Sequence, residues 1–451
     1  MQTVDIDMYT ECFILFDECE KLVQDVHYRD SIREPMNDFF RFQNKALISA
    51  TPIVPEKDSR FDGFMRVLIQ PDYVYRQKLK LITTNNVLET LQEVIEAKRG
   101  TVCIFCNSID SIDSFYRLIP ELSNACTFCS EDGQYKLWKG NRRKKSMMIT
   151  ELERYNFFTS RFYSAVDILC KNPPHVIFVS DLYGAAQSVI DPATEAIQII
   201  GRFRGGVNSV THIASIRPEL ECMSSSEIDH WIQGASTIFN GWKAQLARTT
   251  NIGERTLLQE AIGENSYLPY LDENGKPDSF LIANFYEKEQ VKRLYTSADL
   301  LHLAYEQTGY FVFSHEERLM PVSDNERMAI QHRLAKKKRA ELIVRKLEEM
   351  EKMSKATDKK IQKRYQRMLM NLITSTADRY IYDCFCRFGA EFVREADYNE
   401  NKLRTALNVS SEHTIKKSGQ MRTYIQRAFP VGAEISVQEA KSMLRQVYNC
   451  L

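Results

Sequence analysis

Three short stretches combine residue types and spacing suited to phosphate chemistry. Phe13-Ile-Leu-Phe-Asp-Glu18 is an apolar strand ending in two adjacent carboxylates. At the carboxyl end of a parallel strand, Asp17 sits in the crevice where α/β folds bind ligands. There it can hold Mg²⁺ on phosphates while Glu18 polarises an attacking water. Taken alone, the pattern is equally that of a strand-end helix cap. Leu47-Ile-Ser-Ala-Thr-Pro52 is a second strand ending in small hydroxylated residues. Gln198-Ile-Ile-Gly201-Arg202-Phe-Arg204-Gly-Gly206 sets two arginines among glycines, which suits close approach to an anion and stabilisation of a transferring phosphoryl group. Its plainer reading is a surface helix with salt-bridged arginines.

These stretches need a scaffold, and residues 1–200 supply the pattern of one. Short apolar strands are predicted at Cys12–Phe16, Lys45–Ser49, Thr101–Cys106, Ala125–Phe128, Met147–Ile149 and Val176–Val179. Amphipathic stretches lie between them, such as Val87–Ala97 with Leu88, Leu91, Val94 and Ile95 on one face. That alternation predicts α/β layers around a parallel sheet. Residues 216–325 read as mixed and mostly helical. Ser323-x-x-Glu326 is a capping box, and a long basic helix is predicted to follow over 326–370. Ile343, Leu347 and Met350 give it a narrow apolar stripe, so it reads as a solvated strut, half of a coiled coil or a nucleic-acid-facing helix. Residues 371–451 read as a helical C-terminal region, with a turn at Phe429–Gly432 and a second capping box at Ser436-x-x-Glu439.

The chain has 451 residues, with 60 basic and 60 acidic side chains. The balance is a cancellation. Residues 326–370 carry 15 basic and 6 acidic groups, residues 371–451 carry 11 and 9, and the remaining 325 residues sum to −11. A uniformly basic nucleic-acid binder is excluded, but a basic C-terminal arm is not. No apolar run approaches the ~18–20 residues of a membrane span, and the start lacks a secretory signal, which predicts a cytoplasmic protein. The 11 cysteines are then expected to be mostly free thiols. Cys103-x-x-Cys106 and Cys126-x-x-Cys129 have zinc-like spacing, yet Thr101–Cys106 reads as a buried strand, where residues three apart point to opposite faces and Cys103 and Cys106 diverge. No zinc site is expected, and Cys384-x-Cys386 reads as helix packing.

Taken in order, the three stretches resemble the superfamily 2 helicase core in the DEAD/DEAH style. Asp17-Glu18-Cys19-Glu20 resembles motif II and Ser49-Ala50-Thr51 motif III. Asn107-Ser108 resembles motif IV, Phe158–Asp167 motif V, and Gln198–Arg204 motif VI. The likeness covers roughly residues 10–215. It implies the C-terminal half of a first RecA-like domain over 1–70 and a second RecA-like domain over 71–215. It also implies ATP and Mg²⁺ as cofactors, with Asp17 on the metal, Glu18 on water, and Gln198, Arg202 and Arg204 facing the γ-phosphate. Ser49, Ala50 and Thr51 would couple hydrolysis to movement. Asn107, Ser108 and Thr159 would contact nucleic-acid phosphates, DNA more readily than RNA, and Asp167 would serve motif V. Tyr163 reads as a core aromatic or a base-stacking ring.

The sequence departs from that pattern in three places. Ala165 stands where motif V usually has Gly, and Arg204 follows Arg202 by two residues where three are usual. No G-x-x-x-x-G-K-[ST] phosphate loop occurs in the chain, since Gly275-Lys276 is followed by Pro277. The expectation is therefore an ATP-dependent helicase or translocase, truncated or split, that does not hydrolyse ATP without the polypeptide carrying the Walker A half. The alternatives are a non-catalytic nucleic-acid-binding accessory protein derived from such a helicase, and an interaction module built on the long helix.

Overall fold

The computed structural model describes residues 6–27, 29–138, 144–149, 151–164, 166–330, 334–354, 378–416 and 435–449, with 366, 369, 370, 373, 426, 427, 429 and 432. Ala165 and residues 430 and 431 of the turn expected at Phe429–Gly432 lie outside these residues. The chain divides into two compact units, residues 1–319 and 320–451.

The first unit holds an eight-stranded, all-parallel sheet. Its strands are β3 (Gln77–Thr84), β4 (Val102–Phe105), β5 (Cys126–Phe128), β6 (Lys144–Ser146), β7 (Tyr155–Phe158), β8 (His175–Ser180), β9 (Ser209–Ser215) and β10 (Phe311–Arg318). The spatial order is β10-β3-β9-β8-β4-β7-β5-β6. Parallel strands are buried on both faces, which accounts for the unbroken apolar runs in β4 and β8. One face packs Ile82, Ile104, Phe157 and Ile177 against helices α4 (Val87–Glu96) and α5 (Ile109–Leu118). The other packs Leu81, Phe105, Phe158 and Phe178 against α7 (Glu195–Gly201) and against Tyr295 and Tyr305, which follow α10 (Ser279–Leu294) and lie in α11 (Ala298–Gln307). α6 is Glu131–Trp138.

The strand predicted at Met147–Ile149 lies instead at Lys144–Ser146. The Ser146 hydroxyl bonds both the N–H and the carbonyl of Met148, a local turn that ends the strand before the apolar pair. The zinc-like cysteines split between the two faces, with Cys103 and Cys126 in one cluster and Cys106 and Cys129 in the other.

A second, smaller lobe precedes the sheet. β1 (Phe13–Asp17) pairs in parallel with β2 (Asn44–Ile48). The helices α1 (Ile6–Glu11), α2 (Lys21–Gln24) and α3 (Pro35–Arg41) surround it. Ile14, Phe16, Phe39 and Phe61 form its core. The opposite face is open, with Phe13, Leu15 and Ile48 exposed by 63%, 52% and 46%. A two-stranded parallel sheet does not stand alone. Here α10 braces it. Phe280 and Leu281 enter its core, Asn284 donates to the Val23 carbonyl at 2.8 Å, and Asp278 pairs with Arg33 at 2.5 Å. The region after residue 216 thus contributes a brace and an edge strand. The two other helices there, α8 (Ser225–Arg248) and α9 (Ile252–Gly263), pack on each other.

In the second unit the Ser323 capping box forms, but its helix α12 stops at Met328. The basic helix resumes as α13 (Lys336–Ser354). The single helix predicted over 326–370 is therefore interrupted, and its end, 355–365, lies outside the described residues. The apolar stripe is consumed within the unit. Ile343 and Leu347 are fully buried against Tyr380, Ile381 and Cys384 of α14 (Arg379–Glu395) and Leu403 of α15 (Glu400–Lys416). α14 kinks at Gly389, whose positive φ a side chain would strain. The Ser436 box opens α16 (Val437–Asn449). Among the described residues no helix is long and apolar enough to cross a membrane.

Candidate functional site

β1 delivers Asp17 to the carboxyl end of the two-stranded sheet, where it is exposed. Its Oδ1 accepts from the Glu18 N–H at 2.8 Å. Glu18 itself sits at φ 53°, a left-handed conformation that costs a non-glycine residue about 1 kcal/mol or more and concentrates at functional sites. The turn is held by Cys19 N–H donating to the Ile48 carbonyl at 3.3 Å, which ties the end of β1 to the end of β2. Beyond β2, Ser49 Oγ accepts from the Thr51 N–H at 2.9 Å and fixes the Ser-Ala-Thr turn.

The sheet's α7 faces this edge, and its Gln198 joins the lobes. Gln198 Nε2 donates to Glu20 Oε1 at 2.9 Å and to Thr51 Oγ1 at 2.8 Å, while its Oε1 accepts from Lys21 Nζ at 3.1 Å. All four side chains are buried. One turn later Arg202 Nη1 lies 3.7 Å from Glu18 Oε1, and its Nε donates to the Gln198 carbonyl. Burial holds the Glu20 carboxyl above its usual range, and its Oε2 is buried without a hydrogen-bond partner.

A carboxyl cluster flanks the junction. Gln24 Nε2 donates to Thr194 Oγ1 at 3.0 Å and to Glu287 Oε1 at 3.2 Å. Thr194 donates to Asp191 Oδ2 at 2.6 Å, and the Asp191 N–H donates to Glu195 Oε2 at 3.0 Å. Burial pushes Glu195 up to about 8 and Glu287 up to about 7, and raises Asp191 as well.

The sequence-derived candidates thus divide. Glu18, Thr51, Gln198 and Arg202 converge at the lobe junction, with Asp17 at its rim and Ser49 supporting Thr51. Ala50 is exposed beside them. Arg202 is 16% exposed and crosses to the other lobe, whereas Arg204 is 64% exposed and bonds Asp167 of its own lobe at 3.0 Å. Asn107, Ser108 and Thr159 lie away from this junction. Ser108 is buried as the cap of α5, accepting from the Ser111 N–H. Asn107 reaches the Gln187 carbonyl at 3.5 Å. Thr159 bonds the Phe128 carbonyl, holding β7 to β5. Tyr163 is buried among core aromatics.

Sequence reasoning passed over Lys21, Gln24, Asp191, Glu195 and Glu287. The Lys directly after Asp-Glu-Cys-Glu and the Asp-x-x-x-Glu ahead of Gln198 were the available signals. It also passed over the turn after β8. There Asp181 accepts from Ser111 Oγ and from the Gly184 N–H, both at 3.0 Å, which joins the carboxyl ends of β4 and β8. A Cβ at Gly184 would lie 2.3 Å from Asp181 Oδ2 and 2.8 Å from Ser111 Oγ. Gly184→Ala is expected to destabilise the first unit by about 1–3 kcal/mol, as an overpacking substitution. Denaturant titration checks this, and an unchanged midpoint would show that the turn gives way freely.

Compared with models of known families and with curated proteins, the chain matches none.

Proposed function

We propose that residues 1–215 form the nucleotide-responsive cleft of a superfamily 2, helicase-like nucleic-acid motor, built from RecA-like folds. The observation that carries this reading is Gln198. Three sequence stretches, singled out separately for phosphate chemistry, meet through its amide, while Arg202 reaches Glu18 from the opposite lobe. The parallel sheet supports the fold half of the reading.

The residues fit one side of a Mg²⁺–ATP site. Asp17 is an exposed carboxylate at a strand end, with no hydrogen bond to Oδ2 among the described residues. Arg202 is poised beside Glu18, and the unpartnered Glu20 Oε2 adds acceptor capacity inside the cleft. The backbone cradle of a glycine-rich phosphate loop is not among this chain's residues. Asp17 would hold the metal, Glu18 would orient water, and Arg202 would stabilise charge on the γ-phosphate from across the cleft. ATP supplies the phosphoanhydride whose cleavage drives opening and closing. Arg204, tied to Asp167, supports the loop behind Arg202.

The cradle would come from residues outside these 451, on the same polypeptide or another, seated beside the β1–β2 sheet. The alternative, a non-catalytic nucleic-acid-binding accessory protein, is favoured by one observation: Gln198 already spends both amide groups on the lobe junction.

Purified chain alone is expected to show no ATP turnover. Mixed with the polypeptide that carries the phosphate loop, it is expected to show nucleic-acid-stimulated turnover. Glu18→Gln abolishes that turnover, and Arg202→Ala lowers it about 10²–10³-fold, the usual cost of one transition-state donor. Turnover by the chain alone that Glu18→Gln abolishes would remove the need for a second polypeptide. Nucleic-acid binding unaffected by nucleotide in any mixture would leave the accessory reading in its place.

A further inference from the structure

A basic cavity opens at the amino ends of β4 and β7. Arg99 and Arg154 line it together with Gly100 and Thr101, and its volume is about 450 Å³. It lies at the edge of the sheet opposite Asn107, Ser108 and Asp181, which follow the carboxyl ends of β4 and β8. Strand pairing places the two arginines. Val102 N–H donates to the Arg154 carbonyl at 2.7 Å, which sets the residue before β7 beside the start of β4. His175 N–H donates to the Thr101 carbonyl at 2.9 Å, and His175 Nε2 lies 3.0 Å from the Arg99 carbonyl. The Arg154 guanidinium rests over the Tyr155 ring, 5.1 Å from its centroid. Next in the chain to Arg99, half-buried Lys98 donates to Ser209 Oγ at 3.0 Å and adds a third cation.

The cavity's polar groups are not used within the chain. Both guanidiniums belong to exposed residues, and among the described residues neither meets a carboxylate. Like charges on neighbouring strands repel, so the fold holds a pair that an anion relieves. The Gly100 and Thr101 N–H groups and the Thr101 hydroxyl also have no acceptor among the described residues. Gly100 sits at φ 93°, a conformation that lets successive backbone N–H groups form an anion-binding concavity. A Cβ there would meet nothing within 4 Å, so the glycine serves the backbone and not the packing.

We propose that this cavity binds the dianionic phosphate of a phosphomonoester. The charge fits, because two arginines without acids face an ion carrying close to two charges at neutral pH, where a phosphodiester carries one. The donors fit as well. Each guanidinium offers a planar fork to two phosphate oxygens, and the amides and hydroxyl serve the remaining lone pairs. The lining residues include no ring on which a base could stack, so the phosphate itself is what is recognised. Two sources carry this group: a small phosphorylated molecule and the phosphorylated end of a nucleic-acid strand.

The experiment is equilibrium dialysis of the full chain against radiolabelled inorganic phosphate, in chloride buffer of fixed ionic strength. A saturable site is expected, which Arg99→Ala and Arg154→Ala each weaken about 10-fold and the double substitution removes. Arg99→Lys and Arg154→Lys recover part of the affinity, which shows that the charge and not the fold was lost. Arg117→Ala, in an exposed pair with Asp113, leaves binding unchanged. A 5′-phosphorylated oligonucleotide that binds more tightly than its unphosphorylated twin, through the same two arginines, identifies a strand end as the source. Equal binding of the two oligonucleotides, with inorganic phosphate still held by both arginines, assigns the site to small phosphorylated molecules. No saturable phosphate binding, or binding that survives the double substitution, overturns the proposal. None of these results depends on ATP turnover at the lobe junction, so the two readings fail separately.

Discussion

Gln198→Ala is expected to lower the thermal midpoint of the first unit by about 3–5 °C, the shift that ~2–3 kcal/mol produces in a unit of 319 residues. The wild-type amide satisfies Glu20 Oε1, Thr51 Oγ1 and Lys21 Nζ at once. Alanine leaves all three facing a void. Each unmet buried polar group costs about 1–3 kcal/mol, and more when charged. Lys21 keeps Gln24 Oε1 at 2.9 Å, which limits the loss, whereas Glu20 already has one orphaned oxygen and keeps no bond to α7. The same substitution is expected to loosen the lobes, since the polar links left between the small lobe and the α7 side are then Gln24 to Thr194 and the looser Arg202–Glu18 pair at 3.7 Å. Calorimetry with limited proteolysis between the lobes checks both effects. Arg204→Ala is the control. Its ion pair with Asp167 is exposed, so its effect should stay within about 1 °C. A Gln198→Ala protein that melts with the wild type would show that the junction contributes nothing to stability.

The parts of this molecule legible in sequence are those whose apolar runs are continuous. β4 and β8 carry the Phe, Ile and Val that strands buried on both faces require, β1 and β2 carry similar apolar runs with one face open, and all four lie within two residues of their sequence-based bounds. Four strands were missed, for separate physical reasons. β3 interleaves Lys78 and Lys80 with Leu79 and Leu81, so its pattern is that of a half-exposed strand. β7 contains Asn156, fully buried yet satisfied by the backbone of Glu153 and Val102. β9 reads Ser-Val-Thr-His-Ile-Ala-Ser. Its polar side chains are absorbed by a buried network in which His212 bonds Ser180 at 3.0 Å and Tyr305 at 2.8 Å. Burial alone holds that imidazole neutral, at about 3. β10 ends in Ser-His-Glu-Glu-Arg, a charged run that suits the sheet edge it occupies. Periodicity cannot see polar groups that find partners from distant parts of the chain.

The site follows the same rule. Asp17, Glu18, Thr51, Gln198 and Arg202 stand out in the sequence because phosphate chemistry would restrict residue type, and the fold brings Glu18, Thr51, Gln198 and Arg202 to one junction. The choice between Arg202 and Arg204 was not visible, because it depends on which way each side chain leaves the end of α7. Glu287 could not be found from sequence at all. It belongs to α10, 263 positions beyond its partner Gln24, and α10 serves the cleft only because it braces the small lobe.

That brace makes the lobe junction sensitive to pH. Asp191, Glu195 and Glu287 face one another across three elements, with Lys21 and Lys288 as the cations exerting charge on Glu287, and Glu20 nearby with a raised pKa of its own. The sign follows from linkage. Below about pH 3 these carboxyls are protonated in folded and unfolded chains alike. From there to about pH 7–8 the unfolded chain releases their protons while the folded chain retains them, through Glu287 near 7 and Glu195 near 8. The folded state binds more protons over that window, so this contribution to stability is full at the acid end and is lost as pH rises through the folded values. Asp58, Glu316 and Glu326 have lowered pKa values and act oppositely, losing their contribution only as pH falls below the ordinary carboxylate range. The midpoint is therefore expected to be highest near about pH 5 and to fall steadily toward about pH 8, with proteolysis between the lobes accelerating over the same interval. Glu195→Gln and Glu287→Gln each flatten the slope, and together they remove most of it, since an amide keeps the size of the protonated acid without its titration. A midpoint that holds level or rises between those pH values in the wild type would mean that the cluster is ionised in the closed state. The lobes would then be closing over charge rather than over retained protons.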